Sequence, residues 1–308
     1  MKLLLPTYNK ISVLFISLFL FLIINKVSAQ ESASYTQYMD NLTPLNSAYS
    51  LLDKAGSINT LVREQYVGIQ GAPNTFIFNG NIPIESLNGA AGLIINNNNF
   101  AVEHQTEVNG YFAKAIQLAE NQYLSVSLDG GVRSYVADYS GLAPDDPAFR
   151  NDVREFKTSI GFGILYYTNE YYLGFSLPQL TLRTLGDGSV LDNNYFRNSY
   201  YFSGAIIENL GEDIKIKPAT LVSYTRGVPL IADISTTFYF KDVLGLGVDY
   251  RTNNEMAGII SLALGSFHVG YSYQFGTTSN NLGGINNATY EVTLSYRFGK
   301  GAANPKLL

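Results

Sequence analysis

Few residues in this chain have side chains that could carry out chemistry. The 308 residues include no cysteine, so thiol catalysis and disulfide staples are excluded. Histidine occurs twice, at His104 and His268. A hydrolase needs a His touching a nucleophilic Ser and an orienting group. Ser272 shares a strand face with His268, but four residues of extended chain span roughly 13 Å, too far for contact. The "APDDPAF" stretch, with Asp145 and Asp146, and the later Asp152 offer carboxylates to a cation. They lack the EF-hand spacing of acids, and Asp beside Pro is ordinary turn chemistry. "GLGVD" lacks the strand–turn–helix setting of a nucleotide loop. No catalytic residue, cofactor site or metal site is expected, and the chain reads as a non-enzyme.

The elements around these residues have a strong pattern. Tyr290, Val292, Leu294, Tyr296 and Phe298 alternate with Thr289, Glu291, Thr293, Ser295 and Arg297. Phe267, Val269, Tyr271, Tyr273 and Phe275 alternate with His268, Gly270, Ser272 and Gln274. Period-two alternation of this kind is a β-strand with one apolar face. Fourteen such segments are expected at 57–66, 74–84, 89–97, 105–117, 122–134, 157–167, 171–180, 197–209, 214–225, 229–239, 243–251, 255–264, 267–276 and 288–298. Most exceed the mean soluble strand of about 5–6 residues and suit the roughly 9–11 needed to cross a bilayer.

Connection lengths carry independent information. The even connections are short: "ESLN", "LAEN", "TNE", "LGED", "FKD" and "GS". Residues 135–156, 181–196 and 277–287, all odd connections, are long. Short periplasmic turns and longer outer loops are the mark of an outer-membrane barrel. A soluble sandwich would also show alternation, and a propeller would show an internal repeat, which is not found. The fold class read here is all-β, a transmembrane antiparallel β-barrel of about 14 strands. A sheet in hydrocarbon must close on itself, because an open edge would leave backbone groups unpaired.

Composition agrees. There are 23 Tyr, 18 Phe, 28 Gly and no Trp, with only 15% charged residues. Lys2 and Lys10 precede the apolar "ISVLFISLFLFLII", and "VSA" ends at Ala29, the form of a secretory signal cleaved near Ala29/Gln30. A retained helical anchor is the alternative, but fourteen residues fall short of about 30 Å of hydrocarbon. Without residues 1–29 the chain has 17 basic against 25 acidic side chains, a net −8 that argues against nucleic acid.

The organisation expected is a signal peptide at 1–29, an N-terminal plug-like segment at 30–56, a barrel at 57–298 and a tail at 299–308. Fourteen strands enclose a lumen wider than wall side chains alone can fill, so it is either occupied or a water-filled channel. Residues 30–56 hold too many apolar groups for a free tail, among them Tyr38, Met39 and Tyr49. They form either a plug inside the barrel or a linker on its rim. "REQYVGIQGAPNTF", residues 63–76, reads as the first hairpin, with Arg63, Gln65 and Tyr66 leading into a turn rich in Gly68, Gly71 and Pro73. That turn either folds inward toward the plug or a bound partner, or simply joins two strands.

"YTQYMDNLTPLNSAYS" resembles the start of the PorP/SprF family of type IX secretion membrane proteins. So do "REQYVGIQGAPNTF", "GLIINNN", "ILYYTNEYYLGFSLPQL", "LGLGVDYRTNNEMAGIISLAL", "GYSYQF" and "YEVTLSYRF", in order from Tyr35 to Phe298. Asp40, Leu42 and Ser47 stand where the family usually has an aromatic and Asn-Pro pairs, and ten residues follow Phe298. The resemblance implies an outer-membrane barrel of a Bacteroidota-type cell. Its partners would be membrane lipid, the secretion machinery and a cargo with a C-terminal sorting domain, such as a gliding adhesin. A passive porin or lipophilic-solute transporter is the rival reading.

Overall fold

The alternating segments become strands whose side chains point by turns into and out of a closed sheet. The computed structural model describes residues 34–141, 151–181, 196–276, 288–300 and 302. The expected signal sequence and its expected cleavage point lie outside these residues, as do Asp145 and Asp146. The strands are β1 (Gly56–Gln65), β2 (Asn74–Ile84), β3 (Gly89–Phe100), β4 (Glu103–Ala119), β5 (Gln122–Ala137), β6 (Val153–Tyr167), β7 (Tyr171–Thr181), β8 (Ser199–Ile206), β9 (Glu208–Asn209), β10 (Ile214–Thr225), β11 (Ile231–Phe240), β12 (Leu244–Arg251), β13 (Glu255–Leu264), β14 (Phe267–Gly276) and β15 (Thr289–Phe298).

Sequence neighbours pair antiparallel around the ring, and β1 pairs with β15 from Gly56↔Phe298 to Gln65↔Thr289. This last pairing removes the sheet's edges. The two-residue β9 continues β8 along β10 in one register. Between them the Ile207 N–H turns to the Glu170 carbonyl, 2.7 Å away. The result is a closed fourteen-stranded barrel.

The two faces differ as the alternation requires. On β15, Glu291, Thr293 and Ser295 are buried, while Val292, Leu294 and Tyr296 are exposed. On β13, Ala257, Ile259 and Ser261 are buried, and Met256, Ile260 and Leu262 face out. An apolar outer surface of this kind is stable only against hydrocarbon.

Two expectations change. The connection placed at 135–156 is shorter, because β5 runs to Ala137 and pairs there with Val153 of β6. Buried Tyr135 packs edge-on against Phe196, which stabilises the extension. Nor is the inner face simply polar: Leu61, Ile77, Leu165, Tyr167, Tyr172 and Leu221 point inward and form a core with N-terminal side chains.

Candidate functional site

Ahead of β1, residues 34–55 fold into two 3₁₀ turns, Thr36–Met39 and Ser47–Leu51. "NSAYS" suits the second, because the Asn46 side chain accepts from the Ala48 N–H and caps it. The Tyr35 hydroxyl donates to the Asn41 carbonyl at 2.5 Å and ties the intervening chain back on itself. Tyr38, Met39, Leu42 and Leu52 are all 1% exposed or less. Burying such side chains contributes roughly 1.5–3 kcal/mol each.

Charged wall residues hold the first turn. The Glu291 carboxylate accepts from two consecutive backbone groups, the Thr36 N–H at 2.9 Å and the Gln37 N–H at 3.1 Å. Arg63 pairs with Glu291 at 3.2 Å from the adjoining strand. Across the barrel, Lys217 on β10 donates its ammonium to the Met39 carbonyl at 2.5 Å. The Tyr38 hydroxyl meets Ser235 at 3.2 Å, and the Tyr239 hydroxyl donates to Asp40 at 3.2 Å.

The second turn is held mainly by neutral groups and by shape. Ser125 donates to the Ala48 carbonyl (2.9 Å), and Ser176 to the Leu45 carbonyl (2.6 Å). Ser47 donates to Asp129 (2.6 Å). Asn46 donates to the Ile164 carbonyl at 3.2 Å, in a notch between Gly163 and Gly174. A Cβ on Gly163 would lie 2.2 Å from the Asn46 Oδ1. Only glycine leaves room there. Tyr49 meets Tyr172 edge-on at 5.6 Å.

The residues singled out from sequence fall into two groups. Tyr38, Met39 and Tyr49 lie against the inner wall, and Arg63 reaches the first turn through Glu291. Gln65 is buried and closes the hairpin by donating its N–H to the Pro73 carbonyl. Tyr66, half-buried, donates its N–H to Ala288. The turn beyond them does not fold inward: residues 67–71 are exposed, and the Gly71 carbonyl accepts from Ala101 at 2.8 Å. Gly68 and Gly71 have φ of 98° and 77°, the left-handed region that explains their identity without a partner.

Sequence reasoning missed three buried acid–base rungs. Arg63 faces Glu291, Arg133 faces Glu107 at 2.7 Å, and Arg251 faces Asp233, each pair directly opposite in register. Counting back from the short turn at Lys241–Val243 would have found the third. His268 and Ser272 both face inward on β14, and the Ser272 hydroxyl donates to Glu291 at 3.2 Å. Exposed Asp152 accepts from the Ser140 N–H, which holds its carboxyl below the ordinary value.

A closed antiparallel barrel with an apolar outer face and a polar, charged interior defines an outer-membrane β-barrel protein. The family model for the type IX secretion system membrane protein PorP/SprF matches residues 27–296, and the chain belongs to that family. No curated protein matches it in sequence. Among solved structures, the Acinetobacter baumannii outer membrane protein Omp33 is similar at 11% identity and TM-score 0.45, over 80% of this chain and 100% of its own. The Pseudomonas putida toluene transporter TodX is similar at 11% identity and TM-score 0.45, over 90% and 96% respectively. At such identity nothing of their substrates transfers to this chain.

Proposed function

We propose that this barrel supports type IX secretion or surface attachment of a cargo bearing a C-terminal sorting domain, such as a gliding adhesin, and that residues 34–55 plug its lumen. The family match over 27–296 supports the secretion role. Burial of the N-terminal segment against inward side chains of β2, β5–β7, β10, β11, β14 and β15 supports the plug. Residues 1–29 act as a signal peptide removed near Ala29/Gln30, and residues 299–308 form a tail. The long odd connections face the cell exterior.

Copurification from mild detergent, with cargo expressed, tests the secretion role. Machinery or cargo chains should come with the barrel, and a barrel recovered alone argues against the reading. Liposome conductance separates the porin alternative, which requires an open, solute-permeable lumen in the full chain. Orientation is tested by cysteines at Asp145, Asp187 and Asn281, expected to label with an impermeant reagent on intact cells, and at Asn169, expected not to. The reverse pattern would invert the topology.

A further inference from the structure

We propose that the lumen is a receptor for polypeptide backbone, with residues 34–54 as an exchangeable occupant whose place a segment of a partner protein can take. The inference rests on the reading that the N-terminal segment fills the lumen, and adds the chemical class of what replaces it. Six wall contacts go to main-chain atoms. Glu291 takes the Thr36 and Gln37 N–H groups, Lys217 the Met39 carbonyl, and Ser176, Ser125 and Tyr167 the carbonyls of Leu45, Ala48 and Leu51. These groups exist in every polypeptide. A carboxylate bridging two successive N–H groups reads only that neither residue is proline.

Two buried charges point to exchange rather than a permanent core. Lys217 is 1% exposed, and among the described residues no carboxylate forms an ion pair with it. Burying a charge is costly when a peptide carbonyl replaces water. An apolar residue would suit a fixed core better. In a lumen that empties, the same ammonium and the Glu291 carboxylate regain water, which lowers the cost of leaving. The contacts are thus complementary to a peptide and recoverable by solvent. The occupant expected is a segment of about twenty residues with short turns, and with free N–H groups over Glu291.

The test uses the full chain in detergent, with a protease site replacing Asp53–Ala55, where Lys54 is exposed. After cutting, a fluorescent synthetic peptide of residues 34–54 is offered. A second peptide has the same composition in shuffled order, and a third is N-methylated at the Thr36 and Gln37 positions. All should enter the barrel. The shuffled peptide, which loses the Asn46 notch and the side-chain contacts of Tyr38, Asn41 and Ser47, should bind more weakly than the native one but measurably. N-methylation of the native order or Lys217→Met should weaken binding about tenfold or more. Glu291→Gln should remove most of the N-methylation penalty; if that variant does not fold, the methylated peptide on the unaltered wall reads the same contact. No uptake by the cut barrel, uptake of the native order alone, or indifference to N-methylation would overturn the proposal. Peptide exchange without cargo copurification would leave the receptor standing and refute the secretion role; the opposite result would do the reverse.

Discussion

The two turns of the N-terminal segment pack against the same inner wall but are gripped by different chemistry. Around Thr36–Met39 the grip is ionic, from Glu291, Arg63 and Lys217. Around Ser47–Leu51 it comes chiefly from serine hydroxyls, an aromatic edge and a glycine notch. An ionic contact in a closed lumen is strong when complete and heavily penalised when one member is lost. A hydroxyl contact is worth less, and shape sets its specificity. The first turn should therefore fail abruptly under single substitutions, and the second by degrees.

The largest effect is expected from Glu291→Ala. It strands Arg63 and two backbone N–H groups, a loss of about 3–5 kcal/mol. Thermal unfolding followed by gel mobility should show a clear drop, with rapid proteolysis of residues 34–55. If the drop is no larger than for a serine variant, the two turns are not held differently.

Gly163→Ala should come next, because the added Cβ collides with Asn46 and Ser127. Overpacking of this kind costs about 1–3 kcal/mol. Protease should then cut the second turn while the barrel persists. Gly130→Ala is the control, since a Cβ there meets nothing within 4 Å. Equal effects at both glycines would remove the notch from the account.

The smallest effect is expected from Ser176→Ala, which leaves the Leu45 carbonyl without its hydroxyl partner. Losing one neutral hydrogen bond costs about 0.5–1.5 kcal/mol. Hydrogen exchange should quicken near Ser47–Leu51 and stay unchanged near Thr36–Met39. A matching change at both turns would show that they open as one unit.

Much of this was legible from local pattern. Period-two alternation placed the strands, because a strand's side-chain direction depends only on position parity. Short turns such as Gly265–Ser266 placed the hairpins, and the crowded apolar residues Tyr38, Met39 and Tyr49 marked the N-terminal segment as no free tail. Parity also put Glu291, Thr293 and Ser295 on the polar face of the last strand. It gave neither their height along the barrel nor what lies opposite them across the lumen.

Those matters belong to closure. Arg63 meets Glu291 only because β1 returns to β15, more than two hundred residues later in the chain. Glu107 meets Arg133 only because an irregularity between Gln117 and Ala119 shifts the register of β4 against β5 by one residue. The Asn46 notch needs Gly163 on β6 and Gly174 on β7, diagonal neighbours in the register, beneath a segment from the far end of the chain. Sequence by itself determined which residues face inward, since that is local geometry. Only the closed barrel decided which of them meet, because contacts across a lumen depend on ring size, register and stagger, which no single strand encodes.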